Sequence, residues 1–354
     1  MNANEKVFHG GIRREDYLDF SISISPIRPP FFDDLFSESA IKYVQKYSYV
    51  EWLEEEFRKV FGEDTNILAG ATEAFQICGF VLMKDAEVVV PLPNYGEYKR
   101  VAKFASHNVH FVNILDLEAK TLDYYKLVEY IARLRKNTNR KIVTIFGNPN
   151  NPTGIYTDVF PYVQMLEKLD VLTILDEAFI SFVPFEQRKV CKELDDFEEL
   201  IRVESFTKFY SCPGIRVGYV RTKKYADIFE KYRSPWGIGG QGFLFLEMLL
   251  KNRESLEKFE VNVIDYVAKE RKKFSNFAYF PSLVNYFVTR IGDKFDVTDF
   301  LDFLDLRKIH VRSMDDFEMP GFIRVGLKDV NSNIKLLEAM TDFFEKRICC
   351  KGGN

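Results

Sequence analysis

The sequence predicts an α/β fold: a large domain with a mostly parallel sheet flanked by helices, plus a smaller α+β domain. Three observations predict it. Short apolar runs such as AEVVVPL (Ala86–Leu92), KIVTIFG (Lys141–Gly147) and VLTILDE (Val171–Glu177) are continuous rather than alternating, as strands buried on both faces are. Stretches of helical period, among them Leu122–Arg135 and Val159–Leu169, lie between such runs. After Pro235 the character changes to one long helical stretch, Glu254–Phe277, followed by strands and helices in mixture. At 354 residues the chain exceeds one typical domain, so residues 40–240 are expected to form the large domain and 241–354 the small one, joined by an N-terminal segment, 1–39.

The elements follow in order. FSISISPIRPPFF (Phe20–Phe32) is proline-rich and irregular, and Tyr49–Phe61 is an amphipathic helix because Trp52, Leu53, Phe57 and Val60 recur at helical spacing. A second helix is expected after Gly70, with Thr72 as its N-cap. Strands at Ala86–Leu92, Val109–Ile114, Lys141–Gly147, Val171–Glu177, Leu200–Glu204 and Arg216–Val220 then build the parallel sheet. The small domain contributes LVNYFVTRI (Leu283–Ile291), a helix over Val297–Arg307, a short strand around Val311, GFIRVGL (Gly321–Leu327) and a closing helix, Ile334–Ile348.

Composition removes several classes of function. A net charge of -4 with no long basic run gives no attraction to a polyanion, so nucleic acid is not an expected partner. Cys78, Cys191, Cys212, Cys349 and Cys350 are odd in number and contain no C-x-x-C, which reads as reduced thiols in the cytoplasm. The longest apolar run, GFLFLEMLL (Gly242–Leu250), is too short to cross a membrane, and no membrane partner is expected. His9, His107, His110 and His310 form no ligand spacing, so no metal site is expected. Neither G-x-G-x-x-G nor G-x-x-x-x-G-K-S/T follows the first strands, which argues against nicotinamide and nucleotide chemistry.

The chemistry gathers in SFTKFYSCPGIRVGY (Ser205–Tyr219), which sets Lys208 between a serine and an arginine, with Pro213 and Gly214 bending the backbone. A lysine amine condenses with an aldehyde, and does so usefully where its surroundings lower its proton affinity. Ser205 and Arg216 supply a hydroxyl and a planar cation suited to a phosphate. In an open α/β sheet ligands sit at the carboxyl ends of strands, and three polar motifs fall there. KIVTIFG runs into NPNNPTG (Asn148–Gly154), VLTIL into DEAF (Asp176–Phe179), and LIRVE into Ser205 and Lys208. A fourth piece, ILAGATEAF, places Gly70 and Ala71 before a helix start, where backbone N–H groups attract a phosphate. Taken singly, NPTG is also a turn and A-G-A-T-E a capping box; their order from Gly70 to Arg216 is what points to one site.

S-x-x-K followed by G-x-R-x-G-Y, with NPTG and DEAF upstream, resembles the class I/II aminotransferases, pyridoxal 5'-phosphate (PLP) enzymes of fold type I. The resemblance implies that Lys208 carries the cofactor and moves protons at the substrate Cα, and that Asp176 pairs with the pyridine nitrogen. It implies further that Asn151 donates to the phenolic oxygen, Tyr95 stacks on the ring, and Ala71, Thr72, Ser205 and Arg216 hold the phosphate. Arg324 matches the arginine that clamps the substrate carboxylate, and Arg312 and His9 are candidates for a second anionic group. A homodimer is implied, with Tyr47 a candidate to reach across it. HGG (His9–Gly11), LDFS (Leu18–Ser21), DEAF, TKFY, PGIRVGY and Ser234-Pro235-Trp236 resemble the L-threonine-O-3-phosphate decarboxylases of cobalamin biosynthesis, whose near relatives are the histidinol-phosphate aminotransferases, with 2-oxoglutarate as acceptor. Where those decarboxylases read S-A-N-x-N-P, this chain has Ser23 and Ser25 in place of both asparagines. A non-catalytic PLP-binding regulator is the alternative from a different class, and it lacks an evident partner-binding segment here.

Overall fold

The apolar runs become the middle of a sheet because helices on both sides cover them. The computed structural model describes residues 10–292 and 295–351. In chain order the strands are β1 (Leu18–Asp19), β2 (Thr65–Leu68), β3 (Glu87–Leu92), β4 (Asn108–Asn113), β5 (Leu115–Asp116), β6 (Thr121–Leu122), β7 (Ile142–Gly147) and β8 (Val171–Asp176). They continue with β9 (Leu200–Ser205), β10 (Gly218–Arg221), β11 (Tyr286–Arg290), β12 (Ile309–His310), β13 (Arg312–Ser313) and β14 (Phe322–Gly326). The helices are α1 (Ile41–Val44), α2 (Glu51–Phe61), α3 (Ala71–Ile77), α4 (Gly96–Ala105), α5 (Tyr124–Arg135) and α6 (Phe160–Lys168). After the single turn α7 (Phe206–Phe209) come α8 (Ala226–Tyr232), α9 (Gly240–Lys251), α10 (Arg253–Lys273), α11 (Val297–Asp305) and α12 (Val330–Lys351).

Among the described residues one seven-stranded sheet runs in the order β2-β10-β9-β8-β7-β3-β4, parallel from β9 to β4. Every residue of β7 and β8 is buried, as strands covered on both faces require. Alternate residues serve opposite faces: Val143 and Ile145 meet Phe75, Tyr98 and Phe229 of α3, α4 and α8, whereas Ile142 and Phe146 meet Leu127, Ile131, Val163 and Leu166 of α5 and α6. A second sheet, β11-β14-β13, is antiparallel, and β1 pairs in parallel with β12, Leu18 opposite Ile309. Aromatic stacking fastens this smaller sheet to its helices, with the Phe274 and Phe287 ring centres 4.8 Å apart.

Several expectations shift in detail. β10 is antiparallel to both β2 and β9, and it begins at Gly218 rather than Arg216, because the short Phe206–Val217 connection returns the chain beside β9 without a crossover. The cap of α3 is Gly70 and not Thr72: Gly70 has φ +79°, which glycine alone adopts freely, and Thr72 lies inside the first turn. Glu73 reaches back past the cap and accepts from the Ala69 N–H at 2.6 Å. The sheet ends at Arg221, and we propose the domain division at 240/241; α9 beyond it still packs on Phe206 and Tyr210 through Phe245.

The N-terminal segment is drawn across the small sheet. Gly326 N donates to Phe20 O at 2.8 Å, and Ser25 N donates to Lys208 O at 2.8 Å, so Ser21–Ser23 are held between the two sheets. A side chain at 326 is excluded, since a Cβ there would lie 2.3 Å from Ile22 O. Gly326→Ala is therefore expected to destabilise the protein by roughly 1–3 kcal/mol, the usual cost of overpacking, read as a lowered melting temperature. Gly214→Ala, where a Cβ meets nothing within 4 Å, is the silent control.

Candidate active site

The carboxyl ends of β2, β3, β7, β8 and β9 and the small sheet converge on one cavity of about 360 Å³. Its floor is Lys208. The turn that presents this lysine starts at Ser205, whose hydroxyl accepts from Thr207 N at 3.4 Å and stands 2.8 Å from the Thr207 hydroxyl. Burial lowers the affinity of the Lys208 amine for its proton, the guanidinium groups of Arg324 and Arg216 lower it further, and Asp176 opposes them; the pKa falls to about 8. An amine of that kind is nucleophilic near neutral pH.

Asp176 ends β8, fully buried, and both carboxylate oxygens are engaged: Oδ1 accepts from Ala178 N at 2.8 Å and Oδ2 from the Tyr98 hydroxyl at 2.5 Å. Burial nonetheless raises its pKa. Asn151 follows β7, where Asn150 anchors the turn by accepting from Thr153 and donating to Pro93 O at 3.0 Å. Arg324 Nη1 donates to Asn151 Oδ1 at 2.5 Å. Since a guanidinium only donates, the amide must turn its oxygen to Arg324 and keep its NH₂ for another acceptor. Tyr95 caps α4 beside the cavity, and burial pushes its hydroxyl up to about 12, so the ring is present as a neutral phenol.

The opposite end is cationic. Arg216, with φ +57°, reaches over the start of α3 and donates from Nη2 to Thr72 Oγ1 at 3.5 Å. Gly70 leaves room for it, since a Cβ there would lie 3.1 Å from Arg216 Nη2. Ala71, Thr72, Ser205, Thr207 and Arg216 thus line one corner. Across the cavity stand Gly10, Ser21, Ser23, Arg312, Phe317 and Arg324. Arg324 is buried, donates from Nη2 to Ser21 O at 3.2 Å, and leaves Nε without a protein partner, as is the buried Ser23 hydroxyl. Buried polar atoms of this kind are normally satisfied, so this wall is shaped for a polar ligand. Arg312 is fixed by an ion pair with Asp316.

The cavity therefore gathers the expected Lys208, Asp176, Asn151, Tyr95, Ala71, Thr72, Ser205, Arg216, Arg324 and Arg312. His9 lies outside the described residues, next to the cavity-lining Gly10. Tyr47 does not join them: it is 69% exposed and packs on Trp236 with ring centres 4.6 Å apart. Sequence reasoning missed Tyr98, Thr207 and Phe317. Tyr98 had a signal, because it lies three residues beyond Tyr95 and so on the same helix face. The donor set fits PLP, with an amine for the aldehyde, a carboxylate for the ring nitrogen, an amide for the phenolic oxygen and a hydroxyl-and-arginine corner for the phosphate.

Comparison with known proteins shows the family and the fold. Residues 35–339 match the model of the family Aminotransferase class I and II. The chain is 27% identical over 343 residues to a provisionally named threonine-phosphate decarboxylase of Caldanaerobacter subterraneus subsp. tengcongensis, covering 92% of this chain and 90% of that protein. It is 24% identical over 347 residues to the adenosylcobalamin biosynthesis bifunctional protein CobDQ of Leptospira interrogans, covering 94% of this chain but only 39% of that longer protein. The crystal structure of the histidinol-phosphate aminotransferase from Clostridium acetobutylicum superposes with a TM-score of 0.79 at 24% identity, over 93% of this chain and 99% of that one.

The Lys208 electrostatics carry a sign. Its folded pKa, about 8, lies below the ordinary 10.5, so the charged amine opposes folding. That opposition is fully present below about pH 8, declines as pH rises toward 10.5, and is absent above. In cofactor-free protein, Lys208→Met is expected to raise stability at pH 7 by no more than about 3 kcal/mol. Denaturant unfolding across pH 7 to 10.5 checks it, the gain over wild type shrinking as the pH rises.

Proposed function

The chain belongs to the class I and II aminotransferases, and from that premise we propose that it decarboxylates an O-phosphorylated amino acid, threonine phosphate first. It is a PLP-dependent enzyme of a family that acts on small amino-acid-type substrates. The observation that carries the finer reading is the wall facing Lys208: two guanidiniums, Arg324 and Arg312, with the Ser23 hydroxyl, suited to a substrate with two anionic groups. The similarity to a protein named as a threonine-phosphate decarboxylase, over almost the full length of both, supports it.

When bound, PLP supplies an electron sink for the pair released from a bond at the substrate Cα. Lys208 Nζ would hold the cofactor by its aldehyde, and its free amine would deliver a proton to the substrate Cα. A pKa of about 8 lets the amine gain and lose that proton near neutrality. Asp176 would accept from the pyridine N–H, the Asn151 NH₂ would serve the phenolic oxygen, and Tyr95 would cover the ring. Thr72, Ser205 and Arg216, with the Ala71 N–H, take the cofactor phosphate. The bond that breaks must stand perpendicular to the ring, so the residues gripping the substrate choose the reaction. Arg324 and Arg312 orient the carboxylate and the distal phosphate, and Ser23 offers one hydroxyl where the related decarboxylases place an asparagine. A homodimer is part of the proposal, its contact built on the exposed Val44, Tyr47, Trp52 and Trp236. The setting is cytoplasmic, and no helix among the described residues is long and apolar enough to cross a membrane.

Incubation with threonine phosphate is expected to release carbon dioxide and an aminopropanol phosphate. Glutamate formed instead from histidinol phosphate and 2-oxoglutarate, without carbon dioxide, would move the chain to the aminotransferases. Arg324→Ala is expected to lower kcat/KM roughly 10- to 100-fold, the cost of a charge-assisted contact. Light scattering should give twice the monomer mass, and an active monomer defeats the dimer.

A further inference from the structure

We propose that the Tyr98 hydroxyl is a positioning group that fixes the Asp176 carboxylate and holds it ionised, and that Gly147 is glycine in order to admit that hydroxyl. The proposal rests on the reading that Asp176 faces the cofactor's ring nitrogen. Tyr98 is 1% exposed on α4, and its hydroxyl donates to Asp176 Oδ2 at 2.5 Å. With Ala178 N on Oδ1, each carboxylate oxygen has one protein donor, which sets the plane of the group and leaves the remaining lone pairs for the cavity that Asp176 lines.

Gly147 is the independent observation. It pairs with Asp176 across β7 and β8, and its backbone is not left-handed, so conformation does not call for glycine. A Cβ there would lie 2.9 Å from the Tyr98 hydroxyl oxygen, closer than side-chain carbons approach. Glycine at a buried strand position loses more chain entropy on folding than a residue with a side chain and has nothing to pack. Here it opens the space through which the hydroxyl reaches the carboxylate. The tyrosine ring is gripped edge-on by Phe75 at 5.4 Å and by the cavity-lining Tyr95 at 5.6 Å, so the same side chain touches Asp176 and the residue expected to cover the cofactor ring.

The electrostatics agree. Burial drives the Asp176 pKa up, and the Tyr98 hydrogen bond is the largest influence against it, ahead of the Ala178 N–H and the Lys208 charge. Burial also holds the Tyr98 hydroxyl well above its ordinary range, so it remains a donor at any working pH. A donor to the ionised form favours that form. Without it, a proton shared between Asp176 and the ring nitrogen shifts toward the carboxylate, and the ring withdraws electrons less strongly.

The test uses holoenzyme and reads the visible absorbance of the bound cofactor against pH. Tyr98→Phe, which keeps the ring and loses the donor, is expected to raise the midpoint by roughly one unit and to weaken cofactor retention about tenfold. Gly147→Ala, which keeps the hydroxyl and crowds it, is expected to move both in the same direction and carries the test should Tyr98→Phe fail to fold. A lowered melting temperature of the cofactor-free protein with an unmoved midpoint means that Tyr98 only packs, and overturns the proposal. Failure of the underlying reading is distinct: borohydride would then fix no cofactor to Lys208 in the wild type.

Discussion

Three cations, Lys208, Arg216 and Arg324, meet one buried carboxylate, Asp176, around a single cavity, and the rest of the site depends on that imbalance. Burial disfavours the charged lysine first, and the two guanidiniums in the same poorly solvated space add to that, which is why the lysine gives up its proton so readily. The same imbalance attracts anions, and a phosphate at the Arg216 corner together with a substrate carboxylate at Arg324 would offset it. Charge repulsion therefore does two things here. It prepares the nucleophile before the ligand comes, and it favours ligands that carry negative charge at both ends.

Holding such a site requires a rigid frame behind it. Glu177, the residue after Asp176, turns the other way and forms a buried ion pair with Arg202 of β9, Nε to Oε2 at 2.7 Å, and Arg202 also meets Asp195 at 2.6 Å. Removing one partner of such a pair strands a charge in the interior. Asp176 and Glu177 are thus adjacent carboxylates with separate work, one facing the cavity and one locking β8 to β9.

What was legible in the sequence is what depends on local pattern. Continuous apolar runs mark buried strands wherever helices cover both faces, and polar residues at their carboxyl ends mark the cavity because the sheet topology brings those ends together. Direction and handedness were less legible. Arg216 was read as the first residue of a strand, yet it adopts a left-handed backbone that turns its guanidinium toward Thr72, and no periodicity reports such a turn. The α3 cap was assigned to the threonine because side-chain capping is the common solution, whereas the glycine before it both caps the helix and clears the way for Arg216. Tyr98 reads as an ordinary core aromatic until the register of Gly147 against Asp176 places an empty position beside its hydroxyl.

The pairing of Leu18 with Ile309 bears on how the protein is made. Ser21 and Ser23 leave the ribosome about 290 residues ahead of β12 and β14, the strands that press them against the cavity, roughly the length of two typical domains. During synthesis the sheet that carries Lys208 and Asp176 can assemble while one wall of its cavity is still missing. Contacts of such long sequence separation form slowly. The nascent chain thus passes through a stage in which its reactive amine faces water, and the pocket closes only after the small sheet has been made.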